Sequence, residues 1–498
     1  MMGAAGNPVP RNVVIVGGGF TGACIAVQLV RLSPDPLNIR IVEARAHVGH
    51  GLAYSAVDTD HRLNAPAFIH SIIPDDAWHF LRWCQTHQVL ERDPDAIRPD
   101  GSAYFRRADF GKYLEATVKA HADWVCTGST ITHVRDTAVR AQTASEGFEV
   151  TVASGQVLKA DLLFVATGNP PPRLQPPLQP ALASHPAVIE NALDGARLNR
   201  IRGDARVLLV GSSLTALDAL STLVRQGHMG QVSVVSRRGL RPKPQGPLSP
   251  VLAKIKTPAD LDALPGSMMM GLLLAPIPGF LQEVGEQPTL RDLVKALRAR
   301  VRKFEAEGNT WYGAFDELRN CVWQLWPKLP SHEKRRFLKK MRPWYDVHRF
   351  RSPPQNDDMV RAAEAQGRIQ FMAARLVSAA PSAAGHTIDV TLHKRGEATS
   401  QTESFDVLVN CTGIDVASGM VGNPFLMSLA HEGLIRQDAC ALGFEVDANG
   451  CAVGKDGSTH SALRVVGPPA MGTFGDPIGA MFIGGHIHRM MKDVLVPR

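Results

Sequence analysis

The 498 residues contain seven cysteines and no C-x-x-C or C-x4-C spacing among them. That absence argues against a disulfide framework or a zinc site and makes a reducing, cytoplasmic setting the expectation. The opening MMGAAGNPVPRN has no apolar core, so no signal peptide is expected. No stretch approaches the roughly 20 consecutive apolar residues that cross a bilayer. The most apolar one, Met268–Leu281, is broken by Pro276 and Pro278. A strong excess of one charge is also missing. Lys and Arg number 54 and Asp and Glu 47, and a balance of +7 is too small at this length to imply nucleic acid. Hydrophobic residues at 44% and charged residues at 20% give the composition of a folded chain rather than a disordered one. At roughly 150 residues per domain, about two to four units are expected.

What is present begins with a glycine loop. Val13–Val16 reads as a buried parallel strand and runs directly into Gly17-Gly18-Gly19-Phe20-Thr21-Gly22. The G-x-G-x-x-G pattern falls on Gly17, Gly19 and Gly22, and an apolar helix follows from Ala23. Gly17 permits the tight turn, Gly19 lets backbone approach a pyrophosphate, and Gly22 lets helix and strand pack closely. The helix N-terminus, with Phe20 and Thr21 in its first turn, then offers N–H groups to phosphate. A second strand, Asn38–Val42, ends at Glu43, 21 residues after Gly22. An acid at that distance suits a free ribose diol.

A second copy starts 194 residues later. Val207–Val210 runs into Gly211-Ser212-Ser213-Leu214-Thr215-Ala216 and then a helix, with Ser213 and Ala216 in the places of the second and third glycines. The next strand, Val232–Val235, ends in Ser236-Arg237-Arg238. Arg237 follows Gly211 by 26 residues, as Glu43 follows Gly17. One slot thus carries an acid in the first unit and a base in the second, and Arg suits a 2′-phosphate. We therefore expect FAD on the first loop and NAD(P)H, leaning to NADPH, on the second. Two further strands close in Ala166-Thr167-Gly168 and in Cys411-Thr412-Gly413, preceded at equivalent places by Asp161 and Asp406. They mark the crossings between the two units. Near the C-terminus, Asp476 in Gly475-Asp476-Pro477 is a candidate contact to the flavin side, and equally a plain N-cap with proline at the first helical position.

The expected fold class is α/β, with two Rossmann-like dinucleotide-binding domains and a helical insertion. The FAD domain is expected to be discontinuous, over residues 12–198 and 405–498 after a flexible 1–11. The NAD(P)H domain is expected over 199–404, with its insertion near 245–345. Residues 331–352 are the most charged stretch, with eight bases against two acids. Phe337, Leu338, Met341, Trp344 and Tyr345 recur there at helical spacing and predict one apolar face. His486 and His488 do not make a metal pair, because i and i+2 diverge on a helix, and no metal is expected.

Several segments together resemble a bacterial FAD/NAD(P)-binding flavoprotein family that includes a urate hydroxylase and an aspartate N-hydroxylase. They are Gly49-His50-Gly51-Leu52-Ala53-Tyr54-Ser55, His61-Arg62-Leu63-Asn64-Ala65-Pro66, Gly211–Asp218, Ser236–Gly239, Arg342–Arg349 and Asn410–Gly413. The Gly475–Ala480 segment departs from the acidic segment expected in many relatives. The resemblance implies a monooxygenase that reduces FAD with NAD(P)H and spends oxygen on a small substrate, with no nucleic acid or membrane partner. The Baeyer–Villiger fingerprint is absent. On this footing Leu52–Ser71 is the candidate flavin-ring side, with His61 and Asn64 as candidate catalytic groups. Arg349, near Arg342 and His348, is a candidate clamp for a planar anion, a carboxylate or nucleotide phosphates. Urate hydroxylation to 5-hydroxyisourate is the expected activity. N-hydroxylation of an amino acid or amine, and a flavin sensor with little turnover, are the alternatives.

Overall fold

The computed structural model describes residues 10–56, 58–123, 128–179, 182–247, 276–383, 385–413, 422–475 and 479–496. Asp476, residues 1–9 and all of Met268–Leu281 before Pro276 lie outside the described residues.

The first unit is built from β1 (Arg11–Val16), β2 (Leu37–Val42), β3 (Thr130–Val134), a three-stranded antiparallel layer of β4 (Ala138–Thr143), β5 (Phe148–Val152) and β6 (Val157–Ala160), and then β7 (Leu162–Val165). The second unit holds β8 (Val188–Ile189), β9 (Val207–Val210), β10 (Val232–Ser236), β11 (Ile369–Pro381), β12 (Ile388–Lys394), β13 (Gln401–Phe405) and β14 (Val407–Asn410). The chain then returns to the first sheet as β15 (Cys451–Val453) and β16 (Thr459–Val465). The sheet orders are β15-β16-β7-β1-β2-β3 and β13-β12-β11-β10-β9-β14-β8. The strands around β1 and β9 are parallel, and within these two sheets the antiparallel strand pairs described are β15–β16 and β11–β12–β13.

Unbroken apolar runs suit strands covered on both faces. In β1, Val13 and Ile15 pack toward helices Phe20–Leu32 and Ala480–Val494, while Val14 and Val16 pack toward the β4–β6 layer. This is the two-residue alternation of a strand used on both sides. In β9, Val207 and Leu209 meet helix Leu214–Arg225, and Leu208 meets Leu174 and Leu178 on the other face.

The two units repeat one another closely. β7 lies beside β1, and β14 lies beside β9. Asp161 Oδ2 accepts from the Asn12 amide at 2.7 Å, and Asp406 Oδ2 accepts from the Arg206 amide at 2.7 Å. The crossings therefore fall where the two Thr-Gly strands were expected. The unit limits shift, however. β8 lies before residue 199 and β14 after residue 405, yet both pair within the second sheet. The reason is that each Thr-Gly strand hydrogen-bonds to the strand of its own glycine loop, so the chain leaves a unit only after that strand is complete.

Among the described residues the insertion is helical: Gly279–Gln282, Leu290–Ala306, Trp311–Leu325, Ser331–Arg336 and Arg342–Arg349, four residues beyond the expected end. A π turn over Phe337–Met341 joins the last two. Pro343 follows it; proline has no N–H to continue an i→i−4 ladder, which makes a widened turn at this place intelligible. Arg335, Arg336, Lys339 and Lys340 are exposed, as a solvated basic face requires, and Lys334 lies over the Trp326 ring. Among the described residues no helix is long and apolar enough to cross a membrane.

Gly211 has φ +112°, and a Cβ there would stand 2.2 Å from the Cys411 carbonyl oxygen. Backbone cannot swing aside as a flexible side chain can. Gly211→Ala is therefore expected to destabilise the fold by about 2–3 kcal/mol or more. Urea denaturation would show this as a lower midpoint, and an unchanged midpoint would contradict the packing described.

Candidate functional site: two glycine loops and the joint between them

The first loop is shaped by what its glycines lack. Gly17 has φ +108°, and a Cβ on it would lie 2.2 Å from the Ala166 carbonyl oxygen. A Cβ on Gly22 would lie 2.0 Å from the Gly17 carbonyl oxygen. Together these bring the loop, the helix and the Thr-Gly crossing into contact. Gly19 is the extended N-cap of helix Phe20–Leu32 and supplies no side-chain acceptor to it. A Cβ on Gly51 would be 3.0 Å from Gly19 Cα, so two bare backbones form a slot over an uncapped helix end. That is the donor arrangement a pyrophosphate uses. Glu43 is buried at the edge of the slot, accepting from the Gly18 amide at 3.1 Å and the Arg45 amide at 2.9 Å. Phe20 is buried against Phe110, with ring centroids 6.1 Å apart. Thr21 packs on Gly467 at the end of the C-terminal strand, where a Cβ would be 2.6 Å from Oγ1. These residues fit a bound dinucleotide.

The second loop repeats the plan with small polar residues. The Gly211 amide donates to Val235 O at 2.8 Å, as the Gly17 amide does to Val42 O at 2.9 Å. Ser212 donates to the Leu240 carbonyl, while Ser213 is the exposed, extended N-cap of helix Leu214–Arg225, with Thr215 half-buried in its first turn. Arg237 is exposed and Arg238 half-buried after β10, and neither is in an ion pair among the described residues. Gly413 has φ +90° with open space where a side chain would go.

Thr167 and Gly168, directly after Ala166, open onto a cavity of about 260 Å³ at the carboxyl end of β7. Its other walls include Arg173, Asn423, Phe444 and Pro468. Of these the sequence pointed only to Gly467-Pro468-Pro469. Arg173 lies five residues beyond Gly168, whereas Asn423 and Phe444 come from segments more than 200 residues away, and no local pattern announces them.

The candidate catalytic residues are not brought together. The His61 ring is buried, its Nε2 3.1 Å from Thr222 Oγ1 on the helix of the second loop. Asn64 Oδ1 accepts from Arg107 at 3.1 Å, and Arg107 pairs with Asp218 at 2.9 Å on that same helix. His61 and Asn64 are thus placed at the joint between the units, His61 bonding across it directly and Asn64 bonding Arg107, which crosses it to Asp218. Arg349 lies elsewhere. Its guanidinium sits 5.3 Å from the Phe482 ring centroid, beside Gly479 at the start of helix Ala480–Val494. Burial lowers the proton affinity of nearby Arg319, and the neighbouring charges of Arg349 and Arg351 lower it further against the opposing pull of Asp316. Arg319, Arg349 and Arg351 thus share this locus with Asp316, which pairs with Arg319 and Arg351.

Sequence reading missed two further contacts. His47 and His50 both bond Glu115, at 2.8 and 3.0 Å, and tie the Gly49–Gly51 loop to helix Arg107–Ala122. Their His-x-x-His spacing was the available signal, but the glutamate is 65 residues from His50. The other is Asp58, which is buried and accepts from Thr222 at 2.7 Å and Arg225 at 2.6 Å across the joint. Burial works to raise its carboxyl, but the bonds from Arg225, the Asp60 amide and Thr222 outweigh it and hold the group below the ordinary carboxylate range. Burial and the Asp58 charge push Asp60 up.

A depressed carboxyl stabilises the fold above its unfolded value and loses that contribution as pH falls through its folded one. Asp58→Asn is expected to cost about 2–3 kcal/mol at pH 7 and to flatten the fall in stability below about pH 4. Urea titrations across pH would read both effects. No loss at pH 7 would mean that the joint does not depend on this carboxylate.

Three comparisons with known proteins bear on the site. Residues 14–170 match the family model described as FAD-NAD(P)-binding. No curated protein sequence matches the chain. Among solved structures it is similar to the ornithine N-hydroxylase of Kutzneria sp. 744, described with reduced FAD, NADP+ and L-ornithine. The identity is 16%, over 98% of this chain and 99% of that one, with a TM-score of 0.62. It is similar to L-lysine 6-monooxygenase from Pseudomonas syringae at 14% identity, over 97% and 98%, with a TM-score of 0.60. It is also similar to a bacillithiol disulfide reductase from Staphylococcus aureus at 14% identity, over 98% and 99%, with a TM-score of 0.52. The chain has, along nearly its whole length, the fold of the ornithine and lysine hydroxylases.

Proposed function

We propose that this chain is a FAD-dependent, NADPH-consuming monooxygenase that N-hydroxylates an amine. The observation that carries the reading is one loop geometry built twice with opposite charge at its end. Glu43 closes the first slot, and two guanidiniums outside any described ion pair, Arg237 and Arg238, stand at the second. The acid suits the adenosine ribose of FAD, and the bases suit the 2′-phosphate of NADPH. The first unit would hold FAD through the Gly17–Gly22 loop and Gly51, and the second NADPH through Gly211–Ser213.

Bound FAD supplies hydride acceptance from NADPH and activation of oxygen. In balance, R–NH2, O2, NADPH and a proton give R–NHOH, NADP+ and water. The chain positions the two nucleotides through the joint of Asp58, Thr222 and Arg225. The thiols of Cys24, Cys84, Cys321 and Cys411 are buried, and burial raises each of them away from the reactive thiolate. These four thiols are therefore poor electron acceptors for reduced flavin. The likeness to ornithine and lysine hydroxylases favours an amine over urate, and no observation in the structure favours the purine.

Purified protein should be yellow and should oxidise NADPH faster when a suitable amine is added, with hydroxylamine formed in step. Lack of flavin, or NADPH oxidation indifferent to every amine, would sink the reading. Arg237→Ala with Arg238→Ala is expected to raise KM for NADPH about tenfold, ~1.4 kcal/mol, while leaving KM for NADH nearly unchanged.

A further inference from the structure

Two bound dinucleotides leave one large feature of the insertion without a use. Helices Leu290–Ala306 and Trp311–Leu325 pack side by side, and together with helix Arg342–Arg349 they bound a groove of about 760 Å³. Leu297, Val301, Phe315, Leu318 and Trp344 give it an apolar lining. Trp344, at 46% relative exposure, is among the most open large apolar side chains described. A volume between roughly 300 and 1,000 Å³ with apolar and aromatic walls is that of a small-molecule site, and an open apolar surface of this kind usually marks a binding surface.

The two ends differ. At one, Gly475 lies against Trp326, whose Nε1 donates to Gly472 O at 2.9 Å. In sequence Gly475 shortly precedes helix Ala480–Val494, which packs on the helix of the first glycine loop. At the other stand Arg298 and Arg302, one turn apart. Both are exposed, and neither is in an ion pair among the described residues. From Leu293, near the Gly475 end, to Arg302 the helix rises ~13 Å.

We infer that this groove takes the apolar body of the substrate, and that the substrate is an amphipathic amine. Its amino group points to the Gly475 end and its carboxylate to Arg298 and Arg302. The inference rests on the monooxygenase reading above for the word substrate, and on the groove alone for the ligand class. The two guanidiniums supply the charge complement to a carboxylate, and the aromatic walls supply the apolar contact. A short polar amino acid would leave most of this lining unused.

Calorimetric titration of the FAD-loaded protein with dodecanoate, below its micelle concentration, separates the two readings because dodecanoate carries no amine to oxidise. Saturable binding of one molecule per chain is expected. Arg298→Gln with Arg302→Gln should weaken it tenfold or more, and Leu297→Trp, which fills the groove, should abolish it. Circular dichroism and Tm would confirm that both variants fold. With NADPH present, 12-aminododecanoate should show a KM at least tenfold below that of lysine. Absence of dodecanoate binding to the unaltered protein, or equal binding to Leu297→Trp, would overturn the inference. Dodecanoate binding of the expected pattern without amine-dependent NADPH oxidation would uphold the ligand class and overturn the monooxygenase reading instead.

Discussion

The contact between a side-chain-free residue and a carbonyl oxygen organises this molecule. Gly17 meets Ala166 O, and Gly211 meets Cys411 O, each at a distance a Cβ would reduce to 2.2 Å. Such a contact fixes the end of the central strand against the end of the neighbouring crossing strand. The helix N-terminus, the acid or base after the next strand, and the Thr-Gly exit then all lie at one edge of their sheet. Once that contact is made, the place where phosphate can be held follows from the parallel sheet and the right-handed crossover.

The second constraint is between the units. Asp58 and Arg107 project from the first unit onto one face of helix Leu214–Arg225, meeting Thr222, Arg225 and Asp218. Asn356, from helix Pro354–Ala365, spans the same seam by donating to Asp60 O at 2.8 Å and Ser221 Oγ at 2.7 Å. The seam is polar, so each buried group needs its partner across it, and this gives the two nucleotide slots a defined relation. A purely apolar seam would tolerate sliding.

The repeated loops were legible in the sequence because their chemistry is local. A strand, three glycine or small-residue positions and a charged residue at fixed distance occupy one βαβ unit. Asp161 and Asp406 were legible for the same reason. His61 and Asn64 were read from the sequence as candidate catalytic groups, but their partners, Thr222 and Arg107, are 161 and 43 residues away. Only the fold decides whether such a group faces a cleft or a seam. The extent of the second unit was misjudged for a related reason, since a strand's sheet is set by its hydrogen-bonded neighbour rather than by its own composition. The apolar face of residues 337–345 was visible as a period, but the groove it joins is shared with helices 290–306 and 311–325, whose facing could not be read from spacing alone.

The π turn at Phe337–Met341 has a bearing on how this architecture can diversify. One extra residue in a helical turn rotates everything after it by about 100° at 3.6 residues per turn. Trp344, Tyr345 and His348 reach the groove on the far side of that turn. A sequence that lost a single residue there would keep every downstream side chain yet present a different flank to the same cavity. Small insertions and deletions in this segment are therefore a route by which the lining can be exchanged wholesale, while the two sheets that hold the nucleotides stay as they are.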